Sequence, residues 1–216
     1  MKKILFILAF SNALTSELIL EITQGTEDPY RVAILKFEGD QKVSNDIDKI
    51  IRNNLKRSGE FNLFTNEDLL SLPTDETEVI FNDFKILNID YLVIGKIVKD
   101  GISISVVYDI FDINKGKKIR TSTVYGIPNK NRQLGHYVSD GIYEEITGMK
   151  GISSTKILYV TENKNFNLMV ADADGSNEQI LLKSNDPIIS PAWSPDSKKL
   201  AYVSLCLLYT SPIPRD

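Results

Sequence analysis

The sequence contains few of the side chains that most enzyme and metal sites require. Its 216 residues include one cysteine, Cys206, and one histidine, His136. One thiol cannot form an intrachain disulfide, and a hydrolytic triad or a zinc site needs histidine together with other converging groups. We therefore expect no catalytic residues, no cofactor and no metal site, and we interpret His136 as a structural residue of a helix.

The sequence also lacks a basic face, a glycine-rich phosphate loop and long apolar runs after its amino terminus. The formal net charge is -4, whereas a nucleic-acid-binding domain carries clustered cations. The densest basic stretch, residues 115–120, contains a glycine after a predicted strand, which indicates a solvated hairpin turn rather than a phosphate site. No later segment reaches the roughly 18 apolar residues of a membrane helix. We expect no nucleic-acid partner and no membrane span in the mature chain.

The first 13 residues have the pattern of an export signal. Lys2 and Lys3 precede an unbroken apolar run at residues 4–10, and small residues follow at 11–13. A buried first strand is the alternative, but the leading lysines and the absence of alternation favour a signal peptide. No cysteine follows the run, which excludes lipid attachment there. An exported chain without disulfides is typical of a bacterial periplasmic protein, so we predict a signal peptide at 1–13 and a periplasmic location.

Two segments show the 3.6-residue periodicity of amphipathic helices. The first covers residues 44–58, with Ser44 as its predicted amino-terminal cap and Gly59 as its stop. The second covers residues 129–147 and stops at Gly148; Leu134, Tyr137, Val138, Gly141, Ile142 and Ile146 form its predicted buried face.

Alternating segments around these helices predict strands. The clearest is a hairpin of residues 91–98 and 102–111, joined by a type I′ turn at Asp100 and Gly101. A third strand at 117–125 lies beside it, and shorter strands are predicted at 31–37 and 61–64. Short helical pieces are expected between residues 66 and 88. Residues 17–148 are therefore predicted to form an α+β domain with a mostly antiparallel sheet and two main helices.

After a linker at residues 149–154, the pattern changes to strands only, at 157–161, 168–172, 179–182 and 200–204. Two tight turns interrupt them and form the predicted structural blade motif: Asp172, Asp174 and Gly175 in the first, and Trp193, Ser194, Pro195 and Asp196 in the second. The first turn resembles part of a calcium loop, but it lacks the closing glutamate, so a hairpin turn is favoured.

This arrangement of strands and turns is typical of a β-propeller, whose blades occur in sets of about four to eight. We predict that residues 155–204 form the first blade of an incomplete propeller. The tail at 205–216 departs from the pattern, because an apolar run meets two prolines there. We interpret the chain as an amino-terminal fragment with a non-native tail, and we assign no function to Cys206.

An export signal, an α+β domain, a short linker and propeller strands follow one another in this order, and several strings strengthen the resemblance. They are residues 24–25, 57–59 with Phe61, 90–96, 142–148, 171–175 and 190–204. Together they make residues 17–204 similar to the TolB family, the periplasmic β-propeller component of the Tol-Pal envelope system. The blade motif alone has low specificity, since many propellers share it. Its combination with the amino-terminal strings is much more specific.

The resemblance implies a monomeric, non-enzymatic interaction protein that contacts the Pal lipoprotein and TolA. Such a protein maintains the outer membrane and helps it to constrict at division. In the family the mature amino-terminal segment binds TolA. The corresponding residues here are Glu17, Leu18, Ile19, Leu20, Glu21 and Ile22, which we call the arm. The arm has the apolar groups that strand addition needs, and a first core strand is an equally good interpretation of it.

Two other functions remain open from the sequence. Similar blades precede the catalytic domain of exported peptidases, so a hydrolase with its Ser-His-Asp domain beyond residue 216 is the main alternative. A propeller that binds solutes or glycans in its central channel is another. The missing sequence would discriminate them, since a peptidase needs a nucleophile elbow and a late histidine.

Overall fold

The computed structural model of the chain describes residues 28–205. The predicted signal peptide, the arm and nearly all of the predicted tail lie outside the described residues. The described helices are α1 (Gln41–Ser58), α2 (Phe81–Ile86) and α3 (Asn131–Thr147), with 3₁₀ turns at Asn66–Asp68 and Glu76–Glu78. Within residues 28–205, no helix combines the length and apolar character needed to cross a membrane.

Five strands form the first sheet, in the order β2-β1-β3-β4-β5. These strands are β1 (Tyr30–Ile34), β2 (Phe61–Phe64), β3 (Tyr91–Asp100), β4 (Ser103–Asp112) and β5 (Lys117–Gly126). The long pairings of β3 with β4 and of β4 with β5 are antiparallel, which confirms the predicted meander. The short β1 pairs in parallel with β2 and with β3, so the sheet is mixed. Helix α1 provides the crossover that a parallel β1–β2 pair requires.

The centre of the sheet is buried on both faces, and residues of β1 and the first half of β3 alternate between them. Val32, Ile34 and Val93 point into the larger core, which α1 and α3 cover. Ala33 and Leu92 point into a smaller core on the other face, where Phe84 of α2 packs. Burial on two faces explains why β1 and the first half of β3 read as continuous apolar runs.

Helix α1 begins three residues earlier than predicted. Its cap is Asp40, whose Oδ1 accepts hydrogen bonds from the amides of Lys42 and Val43, each at 3.1 Å. The predicted cap, Ser44, is instead buried inside the helix and donates to the carbonyl of Phe37. An aspartate caps as well as a serine, and the buried role of Ser44 depends on the tertiary fold. The predicted stop at Gly59 is confirmed, since its φ is 76°.

The turn of the β3–β4 hairpin also differs from the prediction. Asp100 pairs with Ser103, so the two loop residues are Gly101 and Ile102. Of these only Gly101 has a positive φ, at 53°. A type I′ turn needs positive φ at both loop positions, whereas type II′ needs it at the first alone. The geometry therefore fits type II′.

Helix α3 ends at Gly148, whose φ of 72° confirms the predicted stop. The predicted buried face is correct for Leu134, Val138, Ile142 and Ile146, but Tyr137 is 42% exposed. His136 takes a buried position instead and is 3% exposed. Burial of the polar His136 rests on specific partners, which hydrophobic periodicity cannot detect.

The last five strands form two further sheets. They are β6 (Lys156–Glu162), β7 (Phe166–Asp172), β8 (Gln179–Ser184), β9 (Ile188–Trp193) and β10 (Leu200–Ser204). Strands β6, β7 and β8 make one antiparallel sheet, while β9 and β10 make a separate pair. Strand β9 was not predicted. The two predicted turns therefore lie in different sheets, one at the end of β7 and the other between β9 and β10.

Candidate functional site

The turn after β7 is built around the carboxylate of Asp172. The amide of Gly175 donates to the Asp172 carbonyl at 2.9 Å, and the Asn177 side-chain amide donates to Oδ2 of Asp172 at 2.6 Å. Gly175 has a φ of 80°, a left-handed conformation that favours glycine. The amide of Ser176 donates to Oδ1 of Asp174 at 3.0 Å. These bonds fix both carboxylates on the side of the turn that faces α3.

Arg132, in the first turn of α3, joins the two domains through this pair of carboxylates. Its Nε lies 3.2 Å from Oδ2 of Asp172, and its Nη2 pairs with Oδ2 of Asp174. Lys156, at the start of β6, pairs with the other oxygen of Asp172. The side chain of Asp172 is only 9% exposed, and a buried carboxylate needs such partners to remain ionised. We call Arg132, Lys156, Asp172 and Asp174 the junction cluster.

A buried polar network extends from this cluster to α1. Asn54 of α1 donates to Nδ1 of His136 and to Oγ of Ser139, each at 2.9 Å. Oδ1 of Asn54 accepts from Arg57 at 3.2 Å, which orients the amide. Nδ1 of His136 is therefore an acceptor, and the proton of the neutral ring lies on Nε2. Nε2 faces Oδ2 of Asp172 at 3.9 Å, beyond hydrogen-bond distance.

Burial and neighbouring charges shift the pKa values of both titratable groups at this contact. Burial lowers the pKa of His136, and the charge of Arg132 lowers it further, against smaller opposing effects of Asp172 and Asp140. Burial by itself would raise the pKa of Asp172. Hydrogen bonds from Lys156 and Asn177, the charge of Lys156 and the bond from Arg132 together hold that pKa below its ordinary value. The junction therefore favours a neutral imidazole and an ionised carboxylate.

The same residues include a group with the spacing of metal ligands. One ligand atom from each of His136, Asp172 and Asp174 lies within 4.8 Å of the others. A histidine that binds a metal normally donates its second ring N–H to an acceptor, yet Nδ1 of His136 receives a hydrogen bond from Asn54. Arg132 also already neutralises both carboxylates. This donor set fits an ion-pair cluster and does not fit a metal centre.

The proximity of Ser139, His136 and Asp172 does not form a hydrolytic arrangement either. Ser139 is fully buried, and its hydroxyl donates to the carbonyl of Gly135 at 2.6 Å. Asn54 occupies the Nδ1 side of His136, and Nε2 points to Asp172. A triad needs the base bonded to the nucleophile and the acid on the other ring nitrogen. Neither nitrogen of His136 is hydrogen-bonded to Ser139.

The second predicted turn lies between β9 and β10 and is held by its own side chains. Oγ of Ser194 donates to Oδ1 of Asp196 at 2.6 Å and accepts from the amide of Lys199 at 2.9 Å. The bond from Ser194, together with one from the Lys198 amide, lowers the pKa of Asp196. Trp193 ends β9 and is 37% exposed. These residues make no recorded contact with the junction cluster, so the structure does not bring the two turns of the blade motif together.

The segment predicted as a linker packs against α3. Two backbone amides of this segment donate hydrogen bonds to the carboxylate of Asp140. The amide of Ser153 donates to Oδ1 at 2.6 Å, and that of Ser154 donates to Oδ2 at 2.9 Å. Gly151 lies so close that an added Cβ would overlap Asp140. Sequence reasoning missed Asp140, Arg132 and Asn54, because each acts through a partner at least 13 residues away. The acidic turn at 172–175 was the one detectable signal, and it did not reveal what the turn would face.

Two family models match this chain. The TolB amino-terminal domain matches residues 18–119, and the TolB beta propeller domain matches residues 143–207. The chain belongs to the TolB family. Both family regions contribute to the buried polar network and the junction cluster beside it, since Asn54 lies in the first region and Asp172 in the second.

Individual relatives agree with this assignment. The Tol-Pal system protein TolB of Alcanivorax borkumensis is 39% identical over 194 residues, which are 88% of this chain and 45% of that protein. The TolB of Pseudomonas aeruginosa is 36% identical over 193 residues, 86% of this chain and 45% of that protein. The crystal structure of TolB from Acinetobacter baumannii superposes with a TM-score of 0.76 at 33% identity, covering 86% of this chain and 46% of that one. The chain thus spans about half the length of the TolB proteins it matches.

Proposed function

We propose that this chain forms the amino-terminal domain and first propeller strands of a periplasmic interaction protein of the Tol-Pal system. In this role it contacts Pal and TolA, maintains the outer membrane and helps it to constrict at cell division. It is exported by residues 1–13 and acts as a monomer without catalytic activity. The observation that carries the proposal is the match to Tol-Pal proteins in both domains.

The arrangement of the described residues is consistent with a scaffold. The junction cluster joins the helical layer to the propeller strands through charge-assisted bonds, which hold two surfaces in one orientation. The alternative of a propeller-containing peptidase gains no support from His136, whose ring nitrogens face Asn54 and Asp172. We assign TolA binding to the arm and Pal binding to the propeller face.

Binding of the arm to TolA is testable with this chain. We expect the purified chain, without its signal peptide, to co-precipitate with the periplasmic region of TolA. Leu20→Asp should abolish that binding, because a charge opposes burial of the arm's apolar side. The matched control is Ile102→Asp, the same kind of change at a hairpin position that is 92% exposed, and it should bind normally.

Equal binding by the two variants would contradict the role of the arm, and no binding by the parent chain would contradict the TolA contact. Pal is tested separately with a longer protein that carries the complete propeller. Failure to co-precipitate Pal from that protein would remove Pal from the proposal while leaving the arm result intact.

A further inference from the structure

A cavity of about 390 Å³ lies where α1, α3 and the propeller strands meet. Its floor and walls include Leu55 of α1, Tyr143 of α3 and Ala173 of the turn after β7. Ile152, from the segment that joins the domains, lies at its edge and is 70% exposed. This volume is at the lower end of the range for small-ligand sites. The cavity is distinct from the junction cluster, whose four residues do not line it.

The charged groups that line this cavity are both cationic. They are Arg57, in the last turn of α1, and Lys150, just after α3; no carboxylate is among the lining residues. Within residues 28–205, neither cation forms a recorded salt bridge, and the recorded bond of Arg57 goes to the neutral amide of Asn54. A guanidinium offers five N–H donors in a planar fork that suits carboxylates. Among the described residues, the Arg57 guanidinium donates one side-chain hydrogen bond, to Asn54, which leaves most of its N–H donors available to a ligand.

A neighbouring guanidinium, that of Arg132, acts on Arg57, although Arg132 is itself paired with Asp172 and Asp174. Partial burial and the like charge of Arg132 lower the pKa of Arg57. The charges of Arg132 and Arg57 also contribute to the lowered pKa of His136. Arg57 and Lys150 line the cavity without a carboxylate among its lining residues, so an anion bound there would be stabilised by both. The apolar walls beside the cations further favour an anion that carries an apolar group.

We propose that this cavity binds the free carboxylate of a peptide end, with the apolar side chain of the terminal residue against Leu55, Tyr143 and Ile152. Arg57 and Lys150 bind the carboxylate. The occupied site touches α1, the interdomain segment and the turn after β7, so a ligand there bridges the two domains.

The test is a titration of the isotope-labelled chain with N-acetyl-L-leucine, followed by amide chemical shifts. The matched probe is N-acetyl-L-leucinamide, which keeps the apolar group and lacks the charge. We expect saturable shifts at Lys150, Ser153 and Ala173 with the acid, and binding at least tenfold weaker with the amide. Small probes of this size bind in the millimolar range. Equal binding of the two probes, or no saturable shift with the acid, would overturn the proposal.

Two variants and a second anion localise the effect. Lys150→Gln lies on the surface and should fold normally, and it should weaken binding of the acid at least threefold. Arg57→Gln should weaken it at least tenfold. The control is Lys130→Gln, which removes a cation that does not line this cavity, and it should change nothing. Equal effects of Lys150→Gln and Lys130→Gln would refute the site, and inorganic phosphate binding as tightly as the acid would refute the role of the apolar walls.

Discussion

Nε of Arg132 lies 3.2 Å from Oδ2 of Asp172, and this bond links the first turn of α3 to the turn after β7. The two residues are 40 positions apart in the sequence; Asp172 lies in the matched propeller region, whereas Arg132 lies between the two matched regions. The bond places a guanidinium against a carboxylate that is nearly buried. Removing this bond would therefore show how much the contact between the helices and the propeller strands contributes to stability.

Arg132→Ala should loosen this junction. Asp172 would keep Lys156 and Asn177 as partners, so we expect a loss of about 1–3 kcal/mol in the free energy of unfolding of the propeller strands. Trp193 is the sole tryptophan, and its fluorescence during urea unfolding reports on these strands. The control is Arg120→Ala, which removes an exposed guanidinium 3.9 Å from Glu145 and should cost at most about 1 kcal/mol. Equal losses would show that the junction pair behaves as an ordinary surface contact.

The stability of the chain should fall as pH drops from 7.5 to 5.5. The pKa of His136 is lowered in the folded state, whereas an unfolded histidine titrates near ~6.5. The unfolded chain therefore binds more protons in this window, so stability is complete above the unfolded pKa and declines below it. The slope cannot exceed about 1.4 kcal/mol per pH unit for one group. Urea unfolding at several pH values measures it.

His136→Gln is the control for this pH dependence. His136 is the one histidine of the chain, so the variant should lose most of the slope between pH 7.5 and 5.5. The charges of Arg57 and Arg132 lower the pKa of the ring, whereas those of Asp140 and Asp172 raise it. The lowered pKa of Asp172 affects stability only at more acidic pH, below its unfolded value near ~3.9. An unchanged slope in His136→Gln would assign the effect to another group.

Gly141→Ala should destabilise the chain, although alanine favours helices by about 1 kcal/mol over glycine. An added Cβ at this position of α3 would overlap the hydroxyl of Tyr108, which is 2% exposed in β4. Overpacking of this kind costs about 1–3 kcal/mol. Thermal unfolding of Gly141→Ala alone and combined with Tyr108→Phe tests the cause. The double variant should recover stability relative to Gly141→Ala, and a simple sum of the two losses would argue against the proposed clash.

Asp40→Ala should cost about 1 kcal/mol, because it removes the acceptor for two amides at the start of α1. Asp40→Asn keeps a side-chain oxygen and should retain most of the stability. Urea unfolding followed by helical circular dichroism measures both variants. If Asn and Ala cost the same, the carboxylate charge matters more than the capping bond.

Local signals in the sequence predicted the parts of the fold that depend on local physics. Gly59 and Gly148 stop their helices as expected, because a left-handed stop depends on the residue at that position. The β3–β4–β5 meander follows from alternation and short turns. The resemblance in specific strings identified the family.

Features that depend on distant partners could not be predicted in this way. Ser44 fits the preference for a cap, but the fold buries it and leaves capping to Asp40. Tyr137 is more exposed than predicted, whereas His136 is buried, because Asn54 satisfies the imidazole inside the protein. Strand β9 contains Ser190 and Pro191 in its middle, and these two residues interrupt the alternation of apolar and polar side chains that predicts a strand. Nothing in the sequence around Arg132 or Lys156 indicates their role, because it depends on the carboxylates of Asp172 and Asp174 that the fold places beside them.

The attachment of residues 153 and 154 to Asp140 has a mechanical consequence. With these amides bonded to Asp140, near the middle of α3, the connection between domains is fixed to the helix. Helix α3 is about 25 Å long for its 17 residues. Arg132 in its first turn is bonded to the turn after β7, and the chain leaves its last turn toward β6. Because Arg132 and Asp140 both bond to residues beyond the helix, a change in the tilt of α3 on the sheet would displace the turn after β7 and the segment that leads into β6.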